Sequence, residues 1–165
     1  VLPLPVDGQK YAWQLRGVTF SDSNLKTLSP DDVKGKIVVF DHWYSYCAPC
    51  VASLKGIREL AARHPKDLVV ISISYDEESG TPHLEKVLSK VGSAPNWHHA
   101  RIIGGTELAA LTAQSLTGSS RLTFPLIVAL DTEGNVMFHG PMGAEKLTQL
   151  VEEELDPTTA LGMKR

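Results

Sequence analysis

At 165 residues, 42% apolar and 21% charged, with a net charge of −3, the chain has the make-up of one ordinary globular domain able to bury a substantial core without help from disulfides. There is no extended Lys/Arg cluster to hold a nucleic acid, and no stretch approaches the ~20 apolar residues of a membrane-spanning helix. Val1-Leu2-Pro3-Leu4-Pro5 lacks the basic start of a signal peptide, so the chain as given reads as soluble; a cleaved signal or anchor upstream would leave no trace in it.

Two short alternating stretches, Trp13-Gln14-Leu15 and Val18-Thr19-Phe20, are followed by the turn-forming Ser21-Asp22-Ser23-Asn24 and suggest a small N-terminal β-hairpin. Ser29-Pro30-Asp31-Asp32 has the order of an N-cap, a first-turn proline and first-turn acids, and Gly35 stops a one-turn helix. Ile37-Val38-Val39-Phe40 is apolar, β-branched and too short for a helix, which predicts a central strand. From Ala48 to His64, Val51, Leu54, Ile57, Leu60 and Ala61 recur on one helical face before Pro65, with Gly56 a weak point inside. Leu68 to Ser74 is a second core strand, and Leu84, Val87, Leu88 and Val91 mark a helix ending at Gly92. Thr106 to Leu116 reads as a further helix and Leu126 to Leu130 as a third core strand. Asp131-Thr132-Glu133-Gly134 is a turn signal that returns Asn135 to His139 as a hairpin, and a helix from about Ala144 to Leu155 ends at Asp156-Pro157. Parallel strands joined by helices, then a hairpin and a terminal helix, predict a single domain built as a three-layer α/β/α sandwich.

The only two cysteines stand as Cys47-Ala48-Pro49-Cys50, between a predicted strand and the head of a predicted helix. A helix N-terminus carries partial positive charge and unpaired N–H groups; it favours a thiolate, the form that attacks disulfides. With a two-residue spacing the second sulfur can close a ring with the first, so Cys50 can resolve a mixed disulfide formed at Cys47. Two other readings stand beside this one. Such a pair can be half of a zinc site, although no second Cys pair exists, and it can be a structural disulfide, although so short a loop constrains the unfolded chain weakly. Pro49 is expected at an early helical position, where it costs no hydrogen bond.

With Phe40-Asp41-His42-Trp43-Tyr44-Ser45-Tyr46 leading into the cysteines, the chain resembles the thioredoxin superfamily. The Gly35-Lys36 entry, the N-terminal hairpin and the helical segment before Phe124-Pro125 are similar to the TlpA/ResA group of extracytoplasmic thiol–disulfide oxidoreductases. The likeness spans about residues 10 to 155. Tyr46 stands where that group commonly has Trp, Ser53 where it often has Glu, and Lys55-Gly56 where it has a helix-kinking Pro. The resemblance implies a thioredoxin-like sandwich with an N-terminal hairpin and a central helical insertion, and an enzyme exchanging its dithiol with protein substrates as an extracytoplasmic reductant. Cys47 would be the nucleophile with access to solvent and Cys50 the buried resolving thiol. Asp41, with its pKa raised by burial, would take the Cys50 proton directly or through water; its bland alternative is a carboxylate that merely ends a strand. Phe124-Pro125 would be a cis-Pro loop facing the dithiol, with Thr123 pairing an extended substrate segment by strand addition, and Trp43, Tyr46, Pro49 and Phe124 would frame the substrate. For Trp43, core packing is an equal alternative. No cofactor is implied. Partners would be disulfide- or dithiol-containing proteins and an upstream thiol–disulfide donor, in the periplasm or another extracytoplasmic space; a membrane tether outside the given residues is compatible with this.

His98 and His99 are adjacent rather than at helical ligand spacing, His64 lies at a helix end where a cation suits the dipole, and His83 reads as solvated, so all four count as structural or surface residues. Cys47, Cys50 and His139 form the one alternative metal set, suited to Cu(I) in a copper-handling module, because thiolates prefer soft metals. A peroxide-reducing enzyme is disfavoured because Tyr44, not Thr, stands three residues before Cys47.

Overall fold

The computed structural model describes residues 18–20, 30–102, 123–156 and 158. In chain order it contains β1 (Val18–Phe20), α1 (Pro30–Val33), β2 (Ile37–Trp43), α2 (Ala48–Arg63), β3 (Leu68–Ser74), a 3-10 turn (Glu78–Gly80), α3 (Thr81–Val91), β4 (Trp97–Ile102), β5 (Leu126–Leu130), β6 (Val136–Gly140) and α4 (Ala144–Leu155). The strands form one mixed sheet in the order β1-β4-β3-β2-β5-β6. β2, β3 and β4 are parallel neighbours. Each crossover steps the chain one strand in the same direction, so the right-handed rule puts α2 and α3 on the same face. The packing agrees: Leu54, Ile57 and Leu60 of α2, Leu84 of α3 and Leu147 and Val151 of α4 share one core with Ile37, Val39, Leu68, Val70, Ile127 and Ala129 of the sheet.

The opposite face buries Val38, Phe40, Val69, Ile71, Ile73, Val128 and Leu130, and α1 adds Val33 to it. Every residue of β2, β3 and β5 is therefore buried, as apolar runs covered on both faces require. The helix expected over Thr106–Leu116 and the hairpin strand Trp13–Leu15 lie outside the described residues.

Three elements differ from expectation. β2 runs on from Phe40 through Asp41 and His42 to Trp43, because β3 pairs with it over that whole length and β5 as far as His42. β4 has no apolar run to announce it; its sequence, Trp97-His98-His99-Ala100-Arg101-Ile102, becomes a strand because β3 and β1 flank it. β5, expected to continue the parallel set, pairs antiparallel with β2. The β5–β6 return forms as expected, with the Asp131 carboxylate accepting from Glu133 N–H at 2.9 Å and Asn135 N–H at 2.8 Å and Gly134 at φ 86°.

Gly56, a weak point in an isolated helix, has a packing reason: a Cβ built there would stand 2.7 Å from the Ala144 Cβ, so its absence lets α4 approach α2. The other end of α2 is tied down by Asn96, whose Nδ2 donates to the carbonyls of Ala61 (2.9 Å), His64 (3.2 Å) and Leu68 (2.7 Å). Together these hold α2 against α4 and tie its C-terminal end to the start of β3. No helix among the described residues is long and apolar enough to cross a membrane.

Candidate active site

Cys47 is the N-cap of α2, in extended conformation, and Ala48-Pro49 open the helix. Its Sγ accepts the Cys50 N–H at 3.3 Å, filling one of the donor positions that the first helical turn leaves unpaired. The two cysteines are joined in a disulfide. The expected solvent access of Cys47 is slight in this state, at 4% exposure against 1% for Cys50. Tyr46 beside it is 67% exposed and Pro49 is exposed as well.

The approach to the dithiol is held from below by a carboxylate that the sequence did not single out. Asp76, buried just beyond β3, accepts from the Ser45 backbone N–H through both oxygens (3.2 and 2.9 Å), from Ser45 Oγ at 2.6 Å and from Ser74 Oγ at 2.7 Å. These bonds pin the residue two before Cys47. His83, expected to be solvated, is half-buried here: its ring stacks on Tyr46 at 4.1 Å, and its Nε2–H donates to the Ser45 carbonyl at 3.3 Å. Ser45, Asp76 and His83 give no local signal in sequence, since they come together only when β2, β3 and α3 pack.

Asp41 lies inside β2, on the same face as Val39 and Trp43 because side chains alternate along a strand. That is the face on which α2 places Cys50. Its carboxyl is 2% exposed and accepts from Ser72 Oγ at 2.7 Å, and Ser72 Oγ accepts in turn from Trp97 Nε1 at 2.8 Å. Burial pushes the Asp41 pKa up from 3.8 to about 7, and the Ser72 hydrogen bond pulls against that rise. The one available hint of Ser72 in sequence is a hydroxyl inside an apolar strand.

His42 points to the other face, fully buried, and shares a 2.9 Å hydrogen bond with the Tyr75 hydroxyl. Burial lowers its pKa from 6.5 to about 3 and raises that of Tyr75. Tyr75 also packs against Phe124, whose ring meets Tyr44 edge-on at 5.2 Å. Phe124 thus joins the loop before β5 to the approach to Cys47. The Phe124–Pro125 peptide bond is cis, and Thr123 is exposed.

Two expected site residues are not where substrate or metal could use them. Trp43 is 1% exposed and belongs to the core with Cys47, Cys50 and Leu54, because β2 continues through it and turns its side chain under α2; the core alternative holds. His139 is paired with Val128, whose side chain lies on the face opposite the dithiol, so the set Cys47, Cys50 and His139 is not brought together. Among the described residues no cluster of three His, Cys, Asp or Glu side chains could hold a metal.

Neither a protein-family model nor a curated protein matches the sequence. Solved structures do match. The thioredoxin domain of a thiol–disulfide oxidoreductase from Bacteroides vulgatus aligns at TM-score 0.64 and 21% identity, over 82% of this chain and 90% of that one. A thiol:disulfide interchange protein of the thioredoxin family from Chlorobium tepidum aligns at TM-score 0.64 and 16% identity, over 91% and 99%. A secreted Mycobacterium tuberculosis disulfide oxidoreductase homologous to E. coli DsbE aligns at TM-score 0.56 and 17% identity, over 74% and 84%. The fold of this chain is thioredoxin-like.

Proposed function

We propose that this protein is a thiol–disulfide oxidoreductase acting on protein substrates, working as a reductant outside the cytoplasm. One observation carries the reading: a Cys47–Cys50 disulfide at the start of α2 packs over the sheet face that holds a buried carboxyl titrating near neutrality. The helix N-terminus stabilises a Cys47 thiolate, while Asp41 is poised to exchange a proton at the pH where the second sulfur must ionise.

In the reducing direction the Cys47 thiolate attacks one sulfur of a substrate disulfide. The bond from Cys47 Sγ to that sulfur forms, the substrate S–S bond breaks, and the departing thiolate takes a proton from water. Cys50 then gives its proton to Asp41 and attacks Cys47 Sγ; the Cys47–Cys50 bond forms and the mixed disulfide breaks. The second substrate thiolate leaves and is protonated. Two electrons have passed from the dithiol to the substrate, and a dithiol donor upstream must return them for the next turn. Pro125 and the exposed Thr123 lie on the loop tied by Phe124 to Tyr44, a suitable edge for an extended substrate segment, with Tyr46 and Pro49 as exposed contacts. The secreted relative supports the extracytoplasmic setting.

The test uses insulin as the disulfide substrate. Cys50→Ser should accumulate a mixed disulfide with insulin through Cys47, and Cys47→Ser should lose exchange. A Cys50→Ser protein that traps nothing in excess insulin would remove the reading. Equilibration of the Cys47–Cys50 pair with dithiothreitol buffers decides direction: a potential near ~−270 mV supports a reductant, and one near ~−120 mV overturns that part in favour of a disulfide donor.

A further inference from the structure

The hydrogen bonds around Asp41 run in one direction. An indole N–H can only donate, so Trp97 Nε1 occupies a lone pair of Ser72 Oγ at 2.8 Å. The Ser72 proton is left to donate, and Asp41 Oδ2 receives it at 2.7 Å. All three side chains are buried. They come from three adjacent strands whose register brings them together: Asp41 of β2 is the partner of Ser72 of β3, and Trp97 of β4 is the partner of Val70, two residues before Ser72.

We propose that Ser72, with its hydroxyl oriented by Trp97, is a positioning residue for Asp41: it offers the carboxylate a fixed donor, favours its ionised form against the pull of burial, and keeps it placed to take the Cys50 proton. The last step rests on the function proposed above. Without Trp97 the hydroxyl is free to rotate between donor and acceptor orientations. Trp97 fills one of its two lone pairs and so biases the proton toward Asp41, and a donor favours the charged form of its carboxylate partner.

The remaining titratable groups around Asp41 set the background for a test. α2 brings Cys47 and Cys50, which do not titrate as a disulfide. β4 brings His99, the register partner of Ser72, whose ring lies 4.3 Å from that of Trp97. His42, next on β2, points to the opposite face, and Asp76 beyond β3 is engaged by Ser45 and Ser74. β5, α3 and α4 contribute the apolar Ile127, Ala129, Leu84, Leu147 and Val151 to this core.

The experiment follows the Asp41 carboxyl carbon by NMR as a function of pH in the oxidised full chain, with Asp41→Asn identifying the signal. Ser72→Ala should move the midpoint up by about one pH unit, a tenfold change, since a hydrogen bond to a charged group is lost. Ser72→Thr, which keeps the hydroxyl, should return it close to wild type, and Trp97→Phe should raise it by less than Ser72→Ala. A midpoint unchanged in Ser72→Ala overturns the proposal. Should Ser72→Ala not fold, an unchanged midpoint in Trp97→Phe does the same. The pH profile of the resolving step is then measured on the same variants with insulin. A carboxyl midpoint that moves while the resolving profile stays put keeps Ser72 as the group that sets Asp41 and removes Asp41 as the acceptor of the Cys50 proton.

Discussion

Asp41→Asn should make this protein more stable than wild type at alkaline pH, where it removes a buried charge, and less stable in acid, where only the fixed cost of burying its amide remains. The carboxyl titrates at 3.8 when exposed and at about 7 in the fold. Between those values the folded chain holds a proton that the unfolded chain has released, so stability falls as pH rises, at about 1.4 kcal/mol per unit. The favourable difference is fully present below pH 3.8 and is lost as pH passes through about 7. Carried through both values, ionising this buried group costs about 4 kcal/mol. Asparagine does not titrate. It still accepts from Ser72 but buries an amide N–H pair with no assured acceptor, a fixed cost of about 1–3 kcal/mol at every pH. The fixed cost cancels in a comparison between two pH values. From pH 5 to pH 8, the stability of Asp41→Asn relative to wild type should therefore rise by about 3 kcal/mol. Urea unfolding of both oxidised proteins at the two pH values measures this, with the disulfide keeping the cysteines silent and equal m values licensing the comparison. A relative stability that is the same at pH 5 and pH 8 would refute the argument that Asp41 is buried at a cost.

Three further outcomes follow from the same structure. His42, lowered from 6.5 to about 3, acts with the opposite sign: its contribution is present above pH 6.5 and is lost as pH falls towards 3, so from pH 5 to 6.5 it offsets Asp41. His42→Gln should unmask the Asp41 slope as a stability that declines by about 2 kcal/mol over that interval, and urea unfolding curves that stay parallel to wild type would contradict it. Gly56→Ala should lose about 1 kcal/mol in thermal or urea unfolding despite gaining about 1 kcal/mol of helix propensity, because its Cβ would meet that of Ala144 at 2.7 Å and overpacking costs about 1–3 kcal/mol. A Gly56→Ala protein more stable than wild type would mean that α2 and α4 have room to spare. Asp76→Ala should cost about 2–4 kcal/mol, since it strips the buried Ser45 N–H and two hydroxyls of their acceptor, and it should slow disulfide exchange with insulin by loosening the approach to Cys47. Exchange at the wild-type rate in a folded Asp76→Ala protein would show that the clamp serves stability alone.

The sequence by itself was enough for whatever depends on neighbours along the chain. The dithiol at a helix start could be read from Cys47-Ala48-Pro49-Cys50 and the apolar face that follows, because capping and helical periodicity act within a few residues. The strands at Ile37, Leu68 and Leu126 were legible as apolar runs, and the return at Asp131-Gly134 as turn chemistry. Likeness to a known family pointed to Asp41, which no local rule would have selected. What the tertiary structure decided was every arrangement set by strand register and by packing across layers. β4 was invisible because Trp97-His98-His99-Ala100-Arg101-Ile102 mixes polar and apolar residues and becomes a strand only between β3 and β1. Trp43, open between substrate contact and core packing in the sequence, goes to the core because β2 extends as far as its pairing with β3 does. Gly56 proved to be a point of contact with Ala144. The chain of bonds from Trp97 through Ser72 to Asp41 joins residues 25 and 31 positions apart, and the clamp from Asp76 to Ser45 spans another 31. A hydrogen bond needs its partners within about 3 Å, and only the pairing of parallel strands brings such distant residues that close.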